Sequence, residues 1–151
     1  MGKTTLIERL IPRLRSAGCR VATVKRPPHD YEFDVPGKDS HRHFEAGADV
    51  AILYGHGRAA AVRRVGDDTP IEEIVGALAP GVDIVLVEGH KSADLPKIEV
   101  FRAGTHPRPL YAGQPEFLAI ATDAELNVDI PVLDLDDPAG VAAFVLEHLP
   151  R

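Results

Sequence analysis

The segment Asp-Ile-Val-Leu-Val-Glu-Gly, from Asp83 to Gly89, decides the fold class of this chain. Its unbroken apolar run is typical of a strand that is buried on both faces of a parallel sheet. An acid and then a glycine directly after such a strand have the form of a Walker B element, in which Glu88 would reach a magnesium ion or its water. On its own, the segment is equally well described as an ordinary buried strand with a solvated acid at its end.

Helical and strand patterns alternate through the rest of the chain. This alternation predicts a single α/β domain over residues 1–151, with a mostly parallel sheet between helices in three layers. For the third helix, we predict Thr69 as the N-cap, Pro70 as the first helical residue and Glu72 as the partner in a capping box. Predicted helices cover 4–17, 39–46, the segment from 70 and the segment from 138; predicted strands cover 20–25, 50–54, 59–65, 83–87, 97–102, 117–122 and 131–135.

The composition limits the classes of function. The 151 residues are 44% hydrophobic and 26% charged, with a formal net charge of -6, so a general nucleic-acid binder, which needs a basic surface, is not expected. No apolar run is long enough to cross a membrane, and the start has no signal-peptide pattern. Because Cys19 is the single cysteine, no internal disulfide can form, and we expect a cytoplasmic protein.

The first residues carry the second half of a phosphate-binding motif. Gly2, Lys3, Thr4 and Thr5 lead directly into a helix, which matches the end of the pattern G-x-x-x-x-G-K-[ST]. Backbone N–H groups at the helix start would hold phosphate oxygens, Lys3 would neutralise the β- and γ-phosphates, and Thr4 would ligate Mg²⁺. Taken alone, these four residues are better explained as the solvated first turn of a helix; together with the Walker B pattern they favour a P-loop NTPase-like fold.

The first half of a phosphate loop is missing from the sequence. A complete loop is preceded by an apolar strand and an earlier glycine, but Met1 stands where the loop should still be running. We therefore expect that the true start lies upstream and that the given chain lacks its first strand. The alternative is a degenerate chain.

With these motifs in place, the chain resembles the molybdopterin-guanine dinucleotide biosynthesis protein B family. The resemblance runs in order from Gly2 nearly to the C-terminus, and the block at 34–40 is more particular than a generic phosphate loop. The matching segments are GKTTLI at 2–7, DVPGKDS at 34–40, AGA at 46–48, LVEG at 86–89 with Lys91, PKIEVFR at 96–102, ATD at 121–123 and VLDLDD at 132–137.

The resemblance implies a GTP-binding accessory protein of molybdenum cofactor biosynthesis. Such a protein binds GTP with Mg²⁺, works with a molybdenum cofactor guanylyltransferase of the MobA type, hydrolyses GTP feebly if at all, and forms a homodimer. Molybdopterin itself is a candidate ligand. The alternatives are a slow GTPase or small-molecule kinase of the P-loop class, and a degenerate scaffold that binds no nucleotide.

The resemblance also assigns positions in the site. Thr4 and Glu88 are expected to hold the metal, and a switch-like second motif is expected to approach the γ-phosphate. An acid after the late strand is expected to read the guanine edge. The expected binding residues are Gly2, Lys3, Thr4, Thr5, Asp34, Lys38, Asp39, Glu88, Gly89, Thr122 and Asp123.

One segment departs from the family pattern. Family members have a His-rich stretch after the second strand, whereas here Lys25 is followed by Arg26, two prolines and a single histidine, His29. A metal, pterin or phosphate contact by a histidine cluster is therefore not expected here. Arg26 is still suited to an anion contact, because its planar guanidinium matches phosphate oxygens.

Overall fold

A computed structural model describes residues 2–27, 31–105, 107–111 and 113–149. The chain divides into two compact units, of which unit 1 comprises residues 1–26 and 82–151 and unit 2 comprises residues 27–81. In chain order the elements are α1 Lys3–Ser16, β1 Val21–Lys25, α2 Asp39–Glu45, β2 Val50–Gly55, β3 Arg58–Arg63, α3 Ile71–Leu78, β4 Ile84–Glu88, β5 Lys97–Phe101, β6 Phe117–Thr122, β7 Val132–Asp134 and α4 Pro138–Glu147.

The strands of unit 1 are all paired in parallel. β1 pairs with β4, and β5, β6 and β7 form a second sheet in that order. The α/β class and the parallel pairing that the sequence predicts are therefore confirmed. In the described residues these strands form two hydrogen-bonded sheets, and both contribute side chains to one hydrophobic core.

Helix α1 supplies the largest share of that core. Leu6, Leu10 and Leu14 recur every four residues, so they share one helix face, and each is less than 7% exposed. They pack with Ile84 of β4, with Ala121 of β6, and with residues of α4. Burying a leucine side chain contributes roughly 1.5–3 kcal/mol, so this face fixes α1 against unit 1.

Two helix ends in unit 1 have typical terminating and capping structures. Helix α1 continues through Pro12 and ends before Gly18, whose φ of 90° lies in the left-handed region. Asp137 caps α4, accepting hydrogen bonds from the N–H groups of Ala139 and Gly140 at 3.1 Å, with Pro138 in the first turn. These caps satisfy backbone groups that the helices leave without internal partners.

An ion pair joins the beginnings of β1 and β4. The Arg20 guanidinium donates to both carboxylate oxygens of Asp83, at 3.1 and 3.0 Å, and the Arg20 backbone N–H donates at 2.7 Å. Hydrogen bonds from the Arg20 side chain and backbone lower the pKa of Asp83 to about 2. The pair therefore marks the point from which the parallel register of Val21 with Ile84 begins.

At their other ends, β1 and β4 approach each other closely. The Arg26 N–H donates to the Glu88 carbonyl at 3.0 Å, and Gly89 turns the chain with a φ of 93°. A Cβ atom at Gly89 would lie 2.6 Å from the Arg26 carbonyl oxygen. Glycine is therefore required here both by the left-handed backbone and by the lack of space.

Unit 2 contains α2, α3 and an antiparallel β-hairpin. The strands β2 and β3 pair with Gly55 opposite Arg58, and both central residues of the turn, His56 and Gly57, have positive φ values of 49° and 73°. This is the type I′ geometry that matches the twist of a hairpin. Arg64 follows β3 and stacks on the Phe44 ring of α2 at 4.1 Å, while its guanidinium donates to the carbonyls of Phe44 and Ala48.

The predicted start of α3 is wrong by one residue. Pro70 is the N-cap and Ile71 the first helical residue, and no side chain caps the helix. The capping box of Thr69 and Glu72 therefore does not form. Glu73 and Ile74 instead donate their N–H groups to the Pro70 carbonyl.

For the other elements, each helix or strand end that the sequence predicts lies within two residues of the end in the structure. Among the described residues, none of the helices is both long enough and apolar enough to cross a bilayer.

We predict that Asp83→Asn removes a pH-dependent part of the stability. Because the folded pKa of Asp83 is below its unfolded value of about 3.9, its stabilising effect is present above pH 4 and is lost as the pH falls through about 2. Thermal unfolding followed by circular dichroism from pH 7 to pH 2 measures this. The variant should melt below the wild type at neutral pH and approach it near pH 2, whereas the exposed control Asp94→Asn should follow the wild type throughout. A constant difference at all pH values would contradict the assignment.

We predict that Gly89→Ala destabilises the protein more than Gly104→Ala. Both glycines have left-handed backbones, with φ values of 93° and 78°, so both variants lose about 1–2 kcal/mol to conformation. Only Gly89 also has a carbonyl oxygen where the Cβ would stand, whereas Gly104 has no atom within 4 Å. Urea unfolding of the two variants measures the difference, and equal losses would show that the contact with Arg26 is not the constraint.

Candidate functional site

The residues for which the sequence predicts phosphate binding lie at the start of α1. Gly2 is the N-cap, and its carbonyl accepts the first helical hydrogen bond, from Leu6 at 2.8 Å. The N–H groups of Lys3, Thr4 and Thr5 lie in the first turn, where helices have no internal acceptors for them. No acidic residue lies in this turn, so its positive partial charge is not compensated by a carboxylate within the helix.

The predicted Walker B acid lies against this helix start. Glu88 is the last residue of β4 and is half-buried, and the Thr4 hydroxyl donates to its two carboxylate oxygens at 3.0 and 3.2 Å. These residues are 84 positions apart in the sequence. The structure therefore brings together the two residues for which a metal role is predicted.

Hydroxyl and carboxylate oxygens are ligands that Mg²⁺ accepts in proteins, where one or two protein ligands and the phosphates of a substrate hold the ion. Thr4 and Glu88 fit this pattern. In the described part of the chain, no group of three or more His, Cys, Asp and Glu side chains is placed to hold a metal ion by itself. His29 lies outside the described residues.

A second polar pair lies next to Glu88. Nη1 of Arg26, directly after β1, is 2.9 Å from Nε2 of His90, two residues beyond β4. Arg26 was expected to contact an anion, but its pairing with His90 was not foreseen from the sequence. The parallel pairing of β1 with β4 was the available signal, because the ends of paired parallel strands meet at one edge.

The second motif forms a local structure within unit 2. The Lys38 N–H donates to the Val35 carbonyl across a turn in which Gly37 has a φ of 83°, as expected for a turn with Pro and Gly at its centre. A hydrogen bond with the Ser40 side chain and another from the Val35 N–H lower the pKa of Asp34. Lys38 is then the N-cap of α2 and Asp39 its first residue. An approach of these three residues to a γ-phosphate stays a prediction.

Thr122 and Asp123 lie at the end of β6, as the sequence predicts. Thr122 is buried, and its hydroxyl accepts a hydrogen bond from the Ala124 N–H at 3.0 Å. Asp123 accepts one hydrogen bond from Arg102 at 3.1 Å and another from the Ala103 N–H at 2.9 Å. Asp123, the acid expected to contact guanine, thus accepts hydrogen bonds from other residues of unit 1 on both carboxylate oxygens. Its role in base recognition stays a prediction.

Comparison with known proteins places this geometry in a family. The family model described as "Molybdopterin guanine dinucleotide synthesis protein B" matches residues 1–123. The chain is 36% identical over 155 residues to the molybdopterin-guanine dinucleotide biosynthesis adapter protein of Escherichia coli (strain K12), covering 99% of this chain and 88% of that protein. It is 34% identical over 145 residues to the Haemophilus influenzae adapter protein, covering 95% and 81%.

Solved structures agree with the sequence comparisons. A crystal structure of molybdopterin-guanine biosynthesis protein B superposes with a TM-score of 0.75 at 27% identity, covering 97% of this chain and 92% of that one. Bacillus subtilis MobB superposes with a TM-score of 0.68 at 28% identity, covering 99% and 91%. The α/β architecture with parallel sheets is thus the MobB architecture, and the chain belongs to the molybdopterin-guanine dinucleotide synthesis protein B family.

Proposed function

We propose that this chain is an adapter in molybdopterin-guanine dinucleotide biosynthesis that binds GTP with Mg²⁺ and assists a guanylyltransferase of the MobA type. The contact between Thr4 and Glu88 carries the nucleotide part of the proposal. The adapter role is supported by the printed names of relatives that are 36% and 34% identical over nearly the whole chain.

The arrangement around Thr4 suits the phosphates of a nucleotide. The free N–H groups of the first turn of α1 and the positive end of its dipole attract an anion. Lys3 is exposed beside them and would neutralise phosphate charge. A magnesium ion held by Thr4 and Glu88 would offset the charge of the phosphates that it touches. Within these residues the chemistry is binding and charge neutralisation, which suits an adapter with little hydrolytic activity.

Asp34, Lys38 and Asp39 would respond to the nucleotide in this proposal. The loop that carries them is closed by the hydrogen bond from Lys38 to Val35 and ends at the start of α2. We expect this loop to become more ordered when a phosphate binds to it. The resulting surface would be presented to the guanylyltransferase. We assign guanine recognition to Thr122 and Asp123, with the bonds from Arg102 and Ala103 exchanged for bonds from the base.

We further propose that the chain forms a homodimer through the hairpin of β2 and β3. Ile52, Leu53 and Tyr54 are 65%, 63% and 85% exposed, and adjacent strand residues point to opposite faces, so both faces of the hairpin expose apolar side chains. A two-stranded hairpin is marginally stable alone in water. Strand β2 also carries no charge or proline from Val50 to Gly55, the features that protect a strand from pairing with another chain.

We predict that Lys3→Ala weakens GTP binding at least tenfold with little change in melting temperature, because Lys3 is exposed and its loss removes one charge-assisted phosphate contact. Titration with fluorescent GTP and Mg²⁺, competed by unlabelled GTP and ATP, measures affinity and base preference. Arg9→Ala, an exposed charge change on the same helix, should bind as the wild type.

Glu88→Gln completes this test. It keeps one oxygen as a hydrogen-bond acceptor for Thr4 but removes the negative charge, so it should reduce the difference in GTP affinity between Mg²⁺ and EDTA. Released phosphate, measured in parallel, separates an adapter from a slow GTPase. If the wild type bound neither nucleotide, the proposal of nucleotide binding would fail, and a scaffold without nucleotide would be the function to pursue.

For the homodimer, we predict that Leu53→Lys converts a dimer into a monomer, because a charge would have to enter an apolar interface. Light scattering after size-exclusion chromatography gives the mass directly. Leu78→Lys, at a leucine of unit 2 that is 48% exposed outside the hairpin, is the matched control and should stay dimeric. A wild-type protein with the mass of one chain at tens of micromolar would contradict the proposal.

A further inference from the structure

Arg26 and His90 stand together where β1 and β4 end. Arg26 directly follows Lys25, the last residue of β1, and His90 lies two residues after Glu88, the last residue of β4. Their backbones are fixed by the hydrogen bond from the Arg26 N–H to the Glu88 carbonyl and by the close approach of Gly89 to Arg26. The carboxyl ends of parallel strands are where α/β proteins bind ligands.

The contact between these two side chains determines which of them donates the hydrogen bond. An arginine guanidinium has only donors and stays protonated. In the 2.9 Å contact between Nη1 and Nε2, the His90 ring must therefore accept the hydrogen bond, with its own proton on Nδ1. Because the partner of Arg26 is a neutral ring and not a carboxylate, the pair as a whole keeps one positive charge.

Arg26 is exposed and His90 half-buried. Among the described residues, the Arg26 side chain has no hydrogen-bonding partner other than His90. The remaining charged side chains on these two strand ends are Lys25, Glu88 and Lys91, of which Glu88 is bonded to Thr4. The exposed guanidinium of Arg26 is thus a donor group for an anion at these strand ends.

We propose that Arg26 and His90 form an anion subsite at the ends of β1 and β4 that binds a terminal phosphate group. The guanidinium fork suits two oxygens of such a group. The 2.9 Å contact with His90 holds the guanidinium at the strand ends. Two sources share this chemistry, the γ-phosphate of a nucleotide and the phosphate of a second small molecule.

The location of the subsite beside Glu88 rests on the proposed function, but phosphate binding itself does not require GTP. Isothermal titration of the whole chain with inorganic phosphate tests it directly. Arg26→Gln should weaken binding at least tenfold, His90→Gln should weaken it less, and the exposed control Arg15→Gln should match the wild type.

Lys3→Ala separates this proposal from nucleotide binding at α1. Phosphate binding that survives Lys3→Ala but not Arg26→Gln supports the subsite even if GTP does not bind. If Arg26→Gln lowers affinity for GTP but not for GDP, the γ-phosphate is the source; if it affects neither nucleotide, the subsite serves a second molecule. Phosphate binding that is absent, or that is lost in Lys3→Ala and unchanged in Arg26→Gln, overturns the proposal.

Discussion

The packing of the leucine face of α1 is the constraint on which the rest of unit 1 depends. Leu6, Leu10 and Leu14 are buried between side chains of both parallel sheets, and this burial sets where the helix begins. The Thr4 hydroxyl can therefore meet the Glu88 carboxylate, although each group is at the end of its own element. An exposed hydrogen bond of this kind contributes about 1 kcal/mol and could not hold the elements by itself, so the apolar core positions the polar site.

The two ends of the β1–β4 strand pair differ in whether their charged side chains are neutralised by a partner. At the beginning of the pair, Arg20 and Asp83 satisfy each other's charges, which makes that end structural. At the other end, Arg26 contacts a neutral ring and Glu88 contacts a hydroxyl, so neither charge is cancelled by its partner. The same two strands thus place compensated charges where they begin and uncompensated charges at their carboxyl ends, where α/β proteins generally bind ligands.

Much of this could be predicted from the sequence. The run from Ile84 to Val87 gave the parallel strand, and Glu88 and Thr4 were assigned to a common site because each fits a motif with a known geometry. The start of α3 was misplaced because Pro70 suits both the first helical position and the residue before it. The contacts of Arg26 with His90 and of Asp123 with Arg102 could not be foreseen, because they depend on how separate strands end and on which side-chain conformations meet.

The bonds of Asp123 have a consequence for discrimination between bases. Its two oxygens already accept hydrogen bonds from Arg102 and Ala103, so a base that bonded to this acid would replace existing donors. Because the exchange replaces one hydrogen bond to the carboxylate with another, the base gains less than the roughly 1.5–3 kcal/mol that a new hydrogen bond to a charged group contributes. Any preference for guanine over adenine at this position would therefore depend on a competition between the donors of the base and those of Arg102 and Ala103. Conditions that weaken the contact between Arg102 and Asp123 would increase that preference.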